Sequence, residues 1–379
     1  MNSARTSQAR YIMIGGFLGA GKTTAVAALA ERLTAQGLRV GLITNDQGSE
    51  LVDTAMLRAR GFATEEIPGG CFCCRFNSLV DAAEKLDAAS SPDVFIAEPV
   101  GSCTDLVATV SYPLRRIYGE RYQIAPLSVL VDPVRAERIF GLSPGSNFSE
   151  KVLYIYRKQL EEADLIVISK SDLLDPTRLE ALQARLGSDF PQAQILAVSA
   201  RRGVGMDAWF SMVAEGEGGR RAAMDVDYEV YAEGEALLGW LNATVDLRAK
   251  DGFDSDAVLT QLARRIQQEL TGNEIAHLKM TLSPSAGLAE VAVINLVRSD
   301  FVPELGLRIE APVESGQLII NLRAEAAPEV LRDAVCTAVE ALPQAVPGLQ
   351  AQLDHLEFFR PGKPTPTHRF ASPATALSP

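Results

Sequence analysis

The 379-residue sequence is short of the residues that mark secreted or nucleic-acid-binding proteins. It has five cysteines. That small, odd number in so long a chain excludes a disulfide framework and suits a reducing compartment. Histidine occurs three times, at His277, His355 and His368, too rarely for a histidine-rich metal store or an evident Ser/His/Asp catalytic set. Positive charge is outweighed, with 36 Lys and Arg against 48 Asp and Glu and a formal net charge of −12. No Lys/Arg run is visible, which argues against a nucleic-acid partner. No apolar stretch reaches the ~18 residues of a membrane span, so no membrane partner is expected. The N-terminal "MNSARTSQAR" followed by "YIMIGGFLGA" has the outline of a secretory signal, but glycines break the apolar run and Lys22 closes it. The expected location is therefore the cytoplasm.

What is present is an ordinary globular composition, 47% hydrophobic and 22% charged, in a chain long enough for two domains. From Arg10 the pattern alternates apolar strands ("RYIMIGG", "RVGLIT", "DVFIAEP", "LSVLVD", "DLIVISK", "AQILAVSA") with Ala/Leu-rich or amphipathic helices. Near-continuous apolar strands separated by helices predict an α/β fold with a parallel sheet covered on both faces, and the strand–loop–helix motif "GFLGAGKT" makes it of the P-loop NTPase kind. The texture changes at "EGEGGRRAAMD", and the segment after it alternates strands around two helices, predicting a smaller α+β domain, ferredoxin-like in pattern. The expected organisation is a flexible N-terminus over 1–9, a nucleotide domain over 10–215, a linker over 216–227, an α+β domain over 228–362, and a flexible Pro/Thr/Ser-rich tail over 363–379.

"GFLGAGKT", Gly16 to Thr23, fits G-x-x-x-x-G-K-[ST] between a strand and a helix. Backbone amides of Gly16, Gly19, Ala20 and Gly21 are free to curl around phosphate oxygens, aided by the helix N-terminus. Lys22 reaches the β- and γ-phosphates as a point charge, and the Thr23 hydroxyl ligates Mg²⁺. Late in the same domain, "ISKSD" is similar to the [NT]-K-x-D guanine motif, with Ser169 where Asn or Thr is usual. The Asp172 carboxylate would accept two hydrogen bonds that guanine offers and adenine does not, while the Lys170 stem packs on the base. Ser199 and Ala200 of "VSA" lie one strand later, where a backbone amide meets guanine O6.

"GGCFCCRF", Gly69 to Phe76, places Cys71, Cys73 and Cys74 within four positions. Soft thiolates at this spacing favour Zn²⁺ or another thiophilic ion. Core filling and a redox pair are the alternatives, though thiols flanked by Gly-Gly and Arg75 make a poor core and a Cys71–Cys73 disulfide would be strained. Cys103 in "EPVGSC" is a candidate fourth ligand on a neighbouring loop, or a small residue opening the next helix. Cys336 reads as core. Glu98 ends a strand and is a candidate Mg²⁺ ligand, directly or through water. Arg75 is a candidate arginine finger, against a solvated surface role.

In this order, the phosphate loop, "GCFCC", "AEPVG", "SKSD" and "VSA" resemble the CobW-type metal-chaperone GTPases, relatives of the urease and hydrogenase maturation GTPases. The resemblance runs from about Arg10 to Glu215. It implies GTP binding, slow hydrolysis to GDP with Mg²⁺, and delivery of Zn²⁺, Co²⁺ or a related ion to a client metalloprotein, with a homodimer closing over nucleotide as an arrangement found among such relatives. By position, Lys22, Thr23 and Thr24 match the phosphate loop. Asn45 and Gly48 of "TNDQG" match a switch segment in which Asp46 replaces Glu and Gln47 an aromatic, so the resemblance assigns Asp46 a water-positioning or Mg²⁺-linked role. Asp53 is a second switch candidate, and Glu98 and Gly101 match the strand-end acid and its glycine. Two other readings remain: a small-molecule P-loop kinase or ATPase with structural cysteines, and a redox-sensing nucleotide-binding module.

Overall fold

The computed structural model describes residues 8–45, 54, 57–58, 60–219, 222–285 and 290–372. The chain divides into two compact units. The first contains Phe62–Tyr231 with the preceding strand and helix and the segment from Pro364; the second contains Ala232–Lys363.

The first unit is built on a parallel sheet of β1 (Ala9–Gly16), β2 (Val40–Asn45), β3 (Ala63–Ile67), β4 (Val94–Glu98), β5 (Tyr122–Ile124), β6 (Ser128–Val131), β7 (Leu165–Ile168) and β8 (Gln194–Ala197). The strand order is β3-β2-β4-β1-β6-β7-β8, with the short β5 pairing with the start of β1. β1, β4, β6 and β7 are buried at every position. Helices such as Lys22–Ala35 and Phe76–Ser90 pack against the strands, which is why these read as unbroken apolar runs. β1 sits in the middle, between β4 and β6. The order therefore reverses around it, and the carboxyl ends of β1 and β4 open the crevice where such sheets bind ligands.

The second unit is an antiparallel sheet of β9 (Leu238–Phe253), β10 (Glu274–Pro284), β11 (Ala292–Leu296), β12 (Glu304–Leu307), β13 (Val313–Glu325) and β14 (Gln350–Phe359), ordered β12-β11-β10-β13-β9-β14. Helices Ser255–Glu269 and Pro328–Ala345 follow β9 and β13. Their apolar stripes (Leu259, Leu262 and Ile266; Leu331, Val335 and Leu342) share one core with Leu241, Val245, Leu278 and Ile320 of the strands. Setting aside the added edge pair β11 and β12, the order β10-β13-β9-β14 with helices after β9 and β13 is the split β-α-β arrangement expected from the sequence. The first of those helices is capped by the Asp254 side chain, which accepts from the Ala257 amide.

Several segments differ from expectation. β5 and β12, three and four residues long, carry too little periodicity to be recognised. The expected linker is bonded into the first unit: Gly218 donates to the Ile124 carbonyl and Gly219 to Asp164 Oδ2. The expected flexible tail is corrected over Pro364–Ser372, whose backbone is hydrogen-bonded to the first unit at Cys73, Ala108 and Ala223. Composition suggested disorder there, but specific partners elsewhere in the chain outweigh it. Among the described residues, no helix is long and apolar enough to cross a membrane.

Candidate nucleotide and metal centre

The phosphate loop leaves β1 at Gly16, whose φ is +130°. A Cβ there would lie 2.3 Å from the Leu130 carbonyl oxygen on β6, so only glycine lets the loop start so close to the neighbouring strand. Lys22 is buried at the head of its helix and its Nζ lies 3.4 Å from the Phe17 carbonyl oxygen, so the side chain folds back over the loop. Thr23 Oγ1 donates to Glu98 Oε1 at 3.0 Å. This brings together two hard oxygens, one from the first turn of the helix after the loop and one from the end of β4, the donor chemistry that suits Mg²⁺. Thr24 is exposed on the first helical turn and Ala20 is buried. Asp46 and Asp53, with Gln47 and Gly48, lie outside the described residues.

At the base end, Lys170 takes a left-handed φ of +47°. Its Nζ donates to the Gly19 carbonyl and to Asp132 Oδ2, each at 2.9 Å. Ser169 Oγ reaches the Ala20 carbonyl at 2.7 Å and the Val131 carbonyl at 3.0 Å. The serine that departs from the usual motif thus ties the "SKSD" loop to the phosphate loop. Ser199 Oγ donates to Asp172 Oδ1 at 2.6 Å, aligning the carboxylate. Ser199 is buried, and Ala200 after it is exposed.

The cysteine loop leaves β3 through Gly69 and Gly70, with φ of +74° and +148°. Asn45, at the end of β2, clasps this turn: its Nδ2 donates to the Ile67 carbonyl at 2.8 Å and the Gly70 carbonyl at 2.6 Å. Arg75 donates from Nε and an Nη atom to the Gly69 carbonyl at 3.2 and 3.0 Å, so its guanidinium braces the loop. The amides of Cys74 and Arg75 both point to the Cys71 carbonyl, coiling the loop directly into helix Phe76–Ser90. The result brings three sulfurs together, with Cys71–Cys73, Cys71–Cys74 and Cys73–Cys74 separations of 2.7, 3.3 and 3.7 Å. Cys103 Sγ, on the loop after β4, lies 3.9 Å from Cys73 Sγ. Cys71, Cys73 and Cys103 are buried, Cys74 half-buried, and no disulfide joins them.

Crowding shapes the chemistry. Contacts with Cys103, Cys71 and Cys74, together with burial, push the Cys73 thiol well up. Contact with Cys71 and burial push Cys74 up to about 11, against a lowering from the contact with Cys73 and a further one from the Thr365 amide. Thiolates packed this tightly repel one another, and a soft cation removes that repulsion while displacing protons. Among the described residues, Cys71, Cys73 and Cys74 are the group of metal-ligating side chains whose donor atoms all lie within 4.8 Å. The donor set fits a thiophilic ion.

Several positioning residues were not legible as such in the sequence: Asn45, Asp132 and the segment around Thr365. Asn45 was legible as part of the "TNDQG" switch match but not as the clasp of the cysteine loop, and the last segment has no local signal. His277 and His355 lie on β10 and β14 as expected, whereas Cys336, expected in the core, is only half-buried in its helix. His368 instead lies edge-on to Phe76, ring centroids 5.2 Å apart.

The chain has known relatives. The model of the CobW/HypB/UreG nucleotide-binding domain matches residues 10–197. The zinc chaperone CobW of Sinorhizobium sp is 30% identical over 214 residues, 50% of this chain and 58% of that protein. The zinc chaperone YeiR of Escherichia coli (strain K12) is 30% identical over 177 residues, 46% of this chain and 50% of that protein. The chain thus spans little more than half the length of these curated relatives. Among solved structures, the hydrogenase maturation factor HypB from Archaeoglobus fulgidus aligns with a TM-score of 0.38 and 21% identity over 54% of this chain and 89% of that chain. Over residues 10–197, this chain is similar to the CobW/HypB/UreG nucleotide-binding domain family.

Proposed function

We propose that the protein binds and hydrolyses GTP and uses that cycle to hold a thiophilic divalent ion, Zn²⁺ or Co²⁺, and pass it to a client metalloprotein. In this reading Asp172, aligned by Ser199, selects guanine, and Lys170 lines the base site. The phosphate-loop amides and Lys22 take the β- and γ-phosphates. Thr23 and Glu98 would hold Mg²⁺, which supplies charge neutralisation on the phosphates when bound. Asp46 orients the attacking water. Cys71, Cys73 and Cys74 take the cargo ion, with Cys103 the nearest further sulfur.

One observation carries the reading: the two sites meet through a short stretch of one loop. Thr23 is hydrogen-bonded to Glu98 at 3.0 Å, and the chain leaving Glu98 delivers Cys103 to 3.9 Å from Cys73. A change at Glu98 on phosphate binding or release reaches the sulfur cluster through that loop, so the ion's affinity differs between the two nucleotide states. The test is GTP turnover across a Zn²⁺, Co²⁺ and Ni²⁺ series in the wild type and Cys73→Ala. The wild-type rate should respond to a metal and the variant should not; the same response in both would sink the proposal. The 2.7 Å approach of Cys71 and Cys73 favours a redox pair as the second reading. Thiol titration with and without Zn²⁺ separates the two, because a bound ion shields three or more thiols and a redox pair leaves them unaffected by the metal.

A further inference from the structure

The segment after β14 returns to the first unit at Pro364 and lies on the cysteine loop. The Thr365 amide donates to Cys74 Sγ at 3.2 Å. Two residues on, the Thr367 amide donates to the Cys73 carbonyl at 2.9 Å and Thr367 Oγ1 to the Cys74 carbonyl at 3.1 Å. His368 packs edge-on against Phe76, the first residue of the helix that follows the loop. Arg369 Nε then donates to Asp105 Oδ2 at 2.7 Å, and an Nη atom of the same guanidinium to the Met224 carbonyl at 2.8 Å. Phe370 lies under the Arg116 guanidinium, 4.1 Å from it, and its amide donates to the Ala108 carbonyl at 2.9 Å.

These contacts add a second tie between two loops that already approach one another at Cys73 and Cys103. One carries Cys71, Cys73 and Cys74; the other runs from Cys103 to Asp105. Asp105 is 1% exposed and takes a left-handed φ of +66°, an unfavourable geometry for a residue with a Cβ. Arg369 and the Tyr228 hydroxyl, the latter 2.6 Å from Asp105 Oδ2, hold it there. Pro364 and Pro366 restrict the segment to extended conformations, so little ordering entropy opposes its docking.

We propose that Thr365–Phe370 forms part of the metal site, a strap whose attachment sets how tightly the sulfur cluster holds its ion. This rests on the reading of the cysteines as metal ligands. Thr365 acts on a ligand sulfur directly: an amide aimed at Cys74 Sγ favours the charged thiolate and restricts where the sulfur points. Thr367 and Arg369 act as positioning residues, fixing the backbone of the cysteine loop and tying it to the loop of Cys103. With both loops held, the ion binds donors that are already ordered, and detaching the strap lowers affinity and exposes Cys74, the least buried of the cluster, to an acceptor.

The test uses the full chain and Zn²⁺ competed with a chromophoric chelator, with Co²⁺ absorption as the spectroscopic readout. Thr365→Pro deletes the amide proton in a stretch already rich in proline. Arg369→Gln loosens the strap at a distance from the sulfurs. Each should weaken Zn²⁺ binding by about 10-fold, the low end for partners of metal ligands, and shift the sulfur-to-cobalt charge-transfer band. Arg369→Lys should recover much of the affinity. Wild-type Zn²⁺ binding that is lost in Cys73→Ala supports the underlying metal reading. Wild-type affinity in both strap variants would then overturn the strap alone, whereas absence of Zn²⁺ binding in the wild type would overturn both. Circular dichroism identifies a misfolded variant, and the remaining one decides.

Discussion

The phosphate loop and the cysteine loop follow β1 and β3 of one parallel sheet, yet their functional groups are satisfied in opposite ways. Around the phosphate loop several polar side chains already have complements within the protein: Thr23 with Glu98, Lys170 with Asp132 and Gly19, Ser169 with Ala20. The cradle is preorganised, so a ligand exchanges one set of partners for another. In the cysteine loop the neighbours are alike. Three sulfurs face one another and a fourth lies nearby, with Cys73 and Cys74 both resisting deprotonation. That arrangement is costly with all thiolates charged and becomes favourable when a cation enters. A preorganised cradle suits a ligand bound in every cycle, while a cluster in need of a cation suits a cargo site.

Substitutions on either side sharpen this contrast. Cys73→Ala removes the sulfur closest to both Cys71 and Cys103 and should weaken Zn²⁺ binding by more than the roughly 100-fold upper range for outer partners, with GDP affinity near wild type by calorimetry. Loss of GDP binding in this variant would break the separation of the two sites. Lys22→Ala should weaken GTP binding by roughly 100-fold, the upper range for one charged hydrogen bond, and leave Zn²⁺ affinity in GTP-free protein unchanged. Unaltered GTP affinity would remove Lys22 from the cradle. Asp172→Asn should reduce the preference for GTP over ATP by about 10-fold or more in competition binding; tight ATP and weak GTP binding in the wild type would favour a kinase or ATPase instead.

The smallest effect concerns Glu162, which receives hydrogen bonds from Thr104 Oγ1 and the Val107 amide on the loop beyond Cys103. Burial pushes its carboxyl up to about 8. A folded-state value above the unfolded one means the folded chain binds the extra proton. The stabilisation is therefore complete below the ordinary carboxylate range and is lost as pH rises toward about 8. Melting temperature should fall between about pH 5 and pH 9 more steeply in the wild type than in Glu162→Gln. Equal slopes would mean that Glu162 does not titrate this way.

Much of the fold was legible because its signals are local. Apolar strands alternating with helices report a covered parallel sheet, and an eight-residue glycine motif between a strand and a helix reports a phosphate loop wherever the rest of the chain goes. "SKSD" and "CFCC" were visible for the same reason: each needs only neighbours in sequence. The tertiary structure alone decided what these motifs touch. That Ser169 would hold Ala20, that Asn45 would clasp Gly70, that Cys103 would come to Cys73, and that a proline-rich segment 291 residues away would place an amide on Cys74 are matters of strand order and chain return. Periodicity records which face of an element is apolar, and it carries no information about which distant loop will meet it.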